Sequence, residues 1–292
     1  MAERLEIDAL RALLAIRAHG GVTRAAEHLA LSQSAVSHKI RRLEQALESD
    51  LLARRAGGPL FTEAGERLCD YARRMTDLHD EALASLGRKT LVGKIRLGVT
   101  EDTTTSGIAR ILGRFTRLYP DVRVQIRTSQ SLNVQVWLKA GELDVAVMQL
   151  FGADVLPGDL TLFDDSLHWV KSPDFLLDPS KPVPFLSFDS NCFYKRWGMT
   201  DGQALGHRFD NVLECPSAAG IQSAVRSGLG VALLNGLHVT PDMEIIHGIF
   251  PDPPGLTYIA RTHRNSRTDA VGALIGEFER EVDNAIPLRA AG

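Results

Sequence analysis

Residues 23–47, Thr23-Arg-Ala-Ala-Glu-His-Leu29 followed by Ala30-Leu-Ser-Gln-Ser-Ala-Val-Ser-His-Lys-Ile-Arg-Arg-Leu-Glu-Gln-Ala-Leu47, constrain this chain more than any other stretch and read as two short helices with a tight turn between them. Val36, Ile40, Leu43 and Leu47 recur at helical spacing and form one apolar stripe, while Ser34, His38, Arg41 and Gln45 point the opposite way. Such a helix is buried on one side and can read a groove with the other. Before it, Thr23-Arg-Ala-Ala-Glu-His-Leu29 reads as a shorter helix, with Thr23 as N-cap and the small pair Ala25-Ala26 letting a neighbouring helix approach closely. A polar outer face is most often only a solvated surface. Here it carries amide, hydroxyl, imidazole and guanidinium groups, with few acids before Glu44, and those groups contact base edges and phosphates. Together the two helices suggest a helix-turn-helix facing double-stranded DNA.

The flanking sequence extends this module. Leu5 to Ala18, with Leu10, Leu13 and Leu14, reads as a helix stopped at Gly20-Gly21 that completes a three-helix core. After Leu47, two short apolar pieces flank Arg54-Arg55 and the turn Gly57-Gly58-Pro59, the pattern of a small hairpin or wing. Its arginines would stand beside the second helix, within reach of phosphates. Thr62 caps the next helix, where Leu68, Met75 and Ala82 lie seven apart with Tyr71 and Leu78 between them. That spacing predicts a dimerisation seam, although packing onto its own domain would use the same residues.

From Leu91 the grammar changes to strands alternating with helices. Lys94–Thr100, Val122–Thr128, Asp144–Met148, His168–Val170, Pro184–Phe188, Asn211–Glu214, Val231–Leu234 and Tyr258–Ala260 read as strands. Helices are expected over 107–118, 132–140, 193–197, 218–227 and 269–285, the last with Val271, Leu274, Ile275, Phe278 and Val282 inward. This alternation implies right-handed crossovers and a parallel sheet, with ligands where loops leave the strands' carboxyl ends.

Composition narrows the class. The chain has 292 residues, 44% of them hydrophobic, a length that favours two domains with a real core in each. Net charge is −3, with 14 Lys and Arg against 13 Asp and Glu in residues 1–90 and 19 against 23 in the rest. The cations of the first part are clustered at Lys39, Arg41, Arg42, Arg54 and Arg55, and local clustering is what phosphate neutralisation needs. The absence of a long apolar run and a charged beginning predict a cytoplasmic protein. Cys69, Cys192 and Cys215 lack metal or disulfide spacing, so no metal and no cofactor are expected, and a redox role for Cys192 and Cys215 stays open.

The chain resembles the LysR-type transcriptional regulators over essentially its whole length. The residues that carry this are Leu29-Ala-Leu-Ser-Gln-Ser-Ala-Val-Ser37, Ile40-Arg-Arg-Leu-Glu44, Leu51-Leu-Ala-Arg54, Phe61-Thr-Glu-Ala-Gly65, Phe115-Thr-Arg-Leu-Tyr-Pro120, Gly141-Glu-Leu-Asp-Val145 and Val225-Arg-Ser-Gly-Leu-Gly230. The resemblance implies a two-part α+β chain. A winged helix-turn-helix spans 1–62, a linker and dimerisation helix 63–90, and an α/β periplasmic-binding-protein-like effector domain 91–292, with one subdomain over 91–164 and 266–292 and the other over 165–265. It implies a homodimer or homotetramer on an operator, modulated by a small-molecule effector, with RNA polymerase as a further partner. Carried over by position, Gln33, Ser34, Ser37 and His38 fall on the base-facing start of the recognition helix and Arg54 on the wing; Thr23, Arg41, Arg42 and Arg55 complete the expected DNA-binding set. This chain has Ser34 where the family often has Pro, His38 where it often has Arg, and Ser49-Asp50-Leu-Leu52 where Gly-x-x-Leu-Phe is common. Base preferences of relatives therefore do not transfer.

By the same resemblance the effector cleft lies between the subdomains. Thr100, Glu101, Thr103 and Thr104 on one side, with Ser129 and Gln130, are expected to face Asn191, Cys192, Phe193, Pro216 and Ser217 on the other, with Phe151, Phe193 and Trp197 as an apolar wall or simply as core; ordinary N-caps beside an empty cleft would use the same residues. Hydroxyls and amides at helix starts suit an anionic or strongly polar ligand, but Glu101 and Asp102 at the same mouth oppose an anion. The rival reading is a small-molecule-binding α/β protein or enzyme with an incidental helix-turn-helix. No nucleophile elbow, zincin motif, phosphate loop or dinucleotide fingerprint supports an enzyme, and the nine histidines are scattered.

Overall fold

A computed structural model describes residues 5–53, 60–87, 91–103, 107–200 and 208–283. The described residues fall into two compact units, the first of the segment up to residue 87 together with 113–120 and 280–283, and the second of 91–112 and 121–279, which holds both sheets.

In the first unit α1 (Ile7–His19), α2 (Val22–His28) and α3 (Gln33–Leu47) enclose one core. Leu10, Leu13 and Ile16 of α1 meet Ala25 and Ala26 of α2 and Val36, Ile40 and Leu43 of α3. Each large aliphatic in that set contributes about 1.5–3 kcal/mol by leaving water, and the alanines let α2 lie close. α1 ends at Gly20, whose φ of +70° is the left-handed cap that glycine adopts without a steric penalty. Two expectations fail here. Leu47, the last member of the apolar stripe, is 39% exposed, because α3 ends there and Glu48 turns into the left-handed region at φ +48°. Thr23 is no cap: Gly21, two residues earlier, holds the N-cap position and α2 starts at Val22, so Thr23 sits inside the helix, exposed.

Beyond α3, Glu44 Oε1 accepts from Leu51 N at 2.9 Å and sets the direction of the chain. Leu52 and Phe61 form an antiparallel bridge, with Ala53 N donating to Leu60 O at 3.0 Å, so the base of the expected wing is present. Its tip, with Arg54 and Arg55, lies outside the described residues. Thr62 Oγ1 accepts from Gly65 N at 3.0 Å and caps α4 (Glu63–Gly87). A Cβ on Gly65 would lie 2.1 Å from Leu51 O, so the wing base and α4 meet only because this residue has no side chain. Leu68, Cys69 and Ala72 enter the core, and Arg17 ties α1 to α4 through Glu66 and Asp70, each at 3.2 Å.

The second unit holds β1 (Gly93–Val99), β2 (Val122–Thr128), β3 (Val145–Phe151), β4 (Leu160–Asp165) and β10 (Leu256–Thr262) in one sheet, ordered β2-β1-β3-β10-β4. The other sheet is β7-β6-β8-β5-β9, from β5 (Leu167–Lys171), β6 (Val183–Ser187), β7 (Phe209–Glu214), β8 (Val231–Asn235) and β9 (Glu244–Ile245). Helices α5 (Glu101–Thr103), α6 (Ala109–Leu118), α7 (Ser131–Lys139), α8 (Phe193–Thr200), α9 (Ala218–Arg226) and α10 (Asp269–Asp283) complete the chain.

The sheets are mixed rather than parallel. β1 runs parallel to β2 and β3, and β6 to β7 and β8, but β10 is antiparallel to β3 and β4, and β5 to β8 and β9. The reversal arises because the chain crosses between sheets twice, at 165–167 and again before β10. The second crossing also corrects a boundary: β10 belongs to the first sheet, paired along its length with β3, so the second subdomain ends before Leu256 rather than at 265. β4, unexpected from sequence, is an edge strand with a single buried residue, Leu162, and acidic residues at its end.

Candidate functional sites

The first site is the outer face of α3. Ser32 caps the helix, its Oγ accepting from Ala35 N at 3.2 Å, and it pairs with Ser34 Oγ at 2.9 Å. Gln33, Ser34, His38, Arg41 and Gln45 are exposed while Ser37 is half-buried, so the face expected from periodicity exists as drawn. Arg42 is also exposed but carries a bidentate pair to Glu6, at 2.6 and 3.0 Å, which turns its charge toward the start of α1. On α4 the seam residues part company. Leu68 is buried in its own core, whereas Tyr71 (55% exposed), Met75, Leu78 (66%) and Ala82 face outward, continued by Leu83 and Leu86.

The second site lies between the two sheets of the second unit. The strands' carboxyl ends bring Glu101 and Gln130 from one side against Pro216 and Ser217 from the other. Glu101 Oε2 accepts from Ala218 N at 3.1 Å and Oε1 from Ser217 Oγ at 3.3 Å, so a carboxylate of one subdomain occupies the amino end of α9 in the other. Gln130 Nε2 donates to Pro216 O at 3.2 Å. The anion seat foreseen at this helix start is filled by the chain's own side chain.

Beneath these bridges runs a buried polar layer. Asp102 binds His238 Nε2 and Gln149 Nε2; Tyr194 Oη donates to Gln149 Oε1 at 2.5 Å; and Asn235 Nδ2 donates to Tyr258 Oη at 3.0 Å. Gln149, Tyr194, Asn235 and Tyr258 are almost fully buried. Burial opposes a charge on His238, but the hydrogen bond and charge of Asp102, with Glu101 and Asp165 nearby, outweigh it and raise the imidazole pKa. Burial also pushes the Tyr194 and Tyr258 phenols far up, so both stay neutral donors and acceptors.

The remaining expected cleft residues are placed as follows. Thr100 and Thr103 are buried, and Thr103 Oγ1 donates to Thr100 O at 2.7 Å, closing the turn that presents Glu101 and Asp102. Thr104 lies outside the described residues. Ser129 accepts from Asn133 Nδ2 at 3.1 Å, and Asn191 N donates to Asp189 at 2.9 Å. Phe151 and Phe193 meet edge-to-face, ring centres 4.7 Å apart, across the two subdomains. Cys192 is buried and its thiol is pushed up to about 12, which opposes reactivity as a thiolate.

Sequence reading missed His238, Gln149, Tyr194, Asn235 and Tyr258. Gln149 had a visible signal, as the one polar residue in the buried run Val145–Leu150, and Asn235 ends a similar run. His238 had none, since only the return of the chain brings it to Asp102.

Comparison with known proteins places both parts. Residues 7–66 match the family described as bacterial regulatory helix-turn-helix protein, lysR family, and residues 88–283 match the LysR substrate binding domain. The chain is 27% identical over 276 residues to the HTH-type transcriptional regulator PecT of Dickeya dadantii, covering 93% of this chain and 87% of that one. It is 29% identical over 252 residues to DgdR, an HTH-type transcriptional regulator of Burkholderia cepacia, covering 86% and 84%. Among solved structures, full-length BenM shares the fold with a TM-score of 0.52 at 19% identity, covering 94% of this chain and 96% of BenM.

Proposed function

Because the chain belongs to the LysR family of bacterial transcriptional regulators, we propose that α3 reads an operator on double-stranded DNA and that the cleft between the sheets takes the small molecule modulating that binding. Family membership makes it a DNA-binding regulator with a helix-turn-helix and an effector-binding domain. The finer assignments rest on geometry.

One observation carries the reading: α3 is anchored by Val36, Ile40 and Leu43 and offers Gln33, Ser34, His38 and Arg41 to solvent on one face. Gln33, Ser34 and His38, at the amino end, are the base readers, with Ser37 beside them; Arg41 and the wing's Arg54 and Arg55 neutralise phosphate, and Thr23 on α2 adds a backbone contact. Arg42 reaches phosphate only by releasing Glu6. Tyr71, Met75, Leu78 and Ala82 pair α4 with a second copy, because an exposed apolar stripe on a helix of this length favours burial against another helix. Two such dimers form a tetramer, RNA polymerase is a further contact, and the protein works in the cytoplasm as a regulator rather than an enzyme. Among the described residues no helix is long and apolar enough to cross a membrane.

The test is recovery of fragmented genomic DNA on the purified chain. A small set of partly symmetric sites, released by salt, is expected; recovery no better than random sequence would end the reading.

A further inference from the structure

The second sheet carries a concavity at the end opposite the cleft, where β6 and β7 begin. Its volume is about 410 Å³, within the range of about 300–1,000 Å³ that holds small organic ligands. Leu177, Val183, Ile249 and Phe250 supply its apolar lining. Phe250 is held in place, its ring 4.8 Å from Trp169 and 5.3 Å from Phe209, while Trp169 Nε1 donates to the neighbouring Pro251 O at 3.0 Å. Ile249 stays 40% exposed although its neighbour Phe250 is buried, so apolar surface at this spot is left for something else to cover.

The charges of the lining do not cancel. Lys181 Nζ lies 3.2 Å from the Asp178 carboxylate, which also accepts from Ser180 N and Oγ at 2.9 and 2.6 Å. That pair is internally satisfied. Arg208, across the concavity, forms an ion pair with no acid among the described residues. A guanidinium that no acid compensates among the described residues, beside a fixed apolar surface, selects its ligand: a cation is repelled, a wholly apolar molecule would desolvate the guanidinium without pairing it, and a carboxylate matches its fork.

We propose that this concavity binds a small organic carboxylate, its ring or chain against Leu177, Val183, Ile249 and Phe250 and its carboxylate on Arg208. The site is separate from the cleft and does not depend on what the cleft binds.

Calorimetric titration of the full chain with 1-naphthoate tests this, with the uncharged 1-naphthamide alongside. Saturable binding of one naphthoate per chain is expected, with the amide about tenfold weaker, as loss of one charge-assisted contact implies. Arg208→Ala should weaken the acid by about the same factor and leave the amide unchanged. Leu177→Trp should abolish both by filling the space. Glu101→Gln and Ser217→Val, in the cleft, should leave naphthoate affinity unaltered. The proposal is overturned by the absence of saturable binding, by equal affinity for acid and amide, or by binding that survives Arg208→Ala and Leu177→Trp but disappears in the cleft variants.

Discussion

Glu101 reaches across the cleft to the Ala218 amide, accepting at 3.1 Å from the first residue of α9. A carboxylate at a helix amino end is favoured both by the unpaired N–H groups and by the helix dipole. With Gln130 on Pro216 and Asp102 on His238, it adds polar contacts between the two subdomains to the chain crossings that connect them. The cleft is thus held together by the chain's own polar groups, and an effector entering it must replace these bonds or build on them.

Replacing Glu101 by Gln keeps the shape and removes the charge. A loss of about 1 kcal/mol is expected, which lowers the melting temperature by about 2–4 °C for a unit of this size. Hydrogen exchange at Ala218 should accelerate. Unchanged protection there would show that the contact carries no weight in solution.

The His238–Asp102 pair sets a pH dependence. Since the folded imidazole pKa lies above its unfolded value, the pair's stabilisation is fully present below the unfolded pKa of about 6.5 and is lost as pH rises through the raised folded value. Melting curves of the wild type and His238→Gln should therefore differ most on the acid side of neutrality and converge in alkali. A gap that widens with rising pH would contradict the assignment.

On DNA, Gln33→Ala should cost about 1–3 kcal/mol of discrimination at one base pair while leaving other positions of the site unaffected. Arg41→Ala should weaken all sequences alike and flatten the salt dependence by about one ion. Binding to a randomised operator library separates the two patterns, and interchangeable behaviour would remove Gln33 from the base readers.

Leu78 is 66% exposed, so Leu78→Glu should leave the fold intact. If α4 pairs with a second copy, the mass from light scattering should fall to that of one chain at micromolar concentration. An unaltered assembly would move the interface elsewhere.

Gly65→Ala should destabilise the first unit by about 1–3 kcal/mol, the usual penalty of forcing atoms into a filled site, because the new methyl would fall 2.1 Å from Leu51 O. Thermal unfolding of residues 1–90 within the full chain reports it; a neutral outcome would mean the wing base shifts freely.

Helices and strands were largely legible because their signals are local. The stripe Val36, Ile40, Leu43 placed the buried and outer faces of α3, and the apolar run after Asp144 placed the central strand. Errors fell at ends, where local signals compete: Thr23 resembles a cap but Gly21 holds the cap position, and Leu47 fits the period but the helix stops. The cleft was half legible. Glu101, Gln130, Pro216 and Ser217 were foreseen as neighbours of helix starts, but their mutual bonds were not, and Glu101, read as a cleft residue that opposes an anion, bonds across to the amino end of α9.

What this sequence determined by itself was the set of elements and the two-part plan, since period and composition act over a few residues and need no partner. Which strands share a sheet, that β10 returns to β3, and that Asp102 meets His238 were decided only by tertiary structure. The β10–β3 and Asp102–His238 contacts join residues more than a hundred positions apart. Their energy depends on burial and on the low dielectric of a closed cleft, and neither exists until the chain has folded.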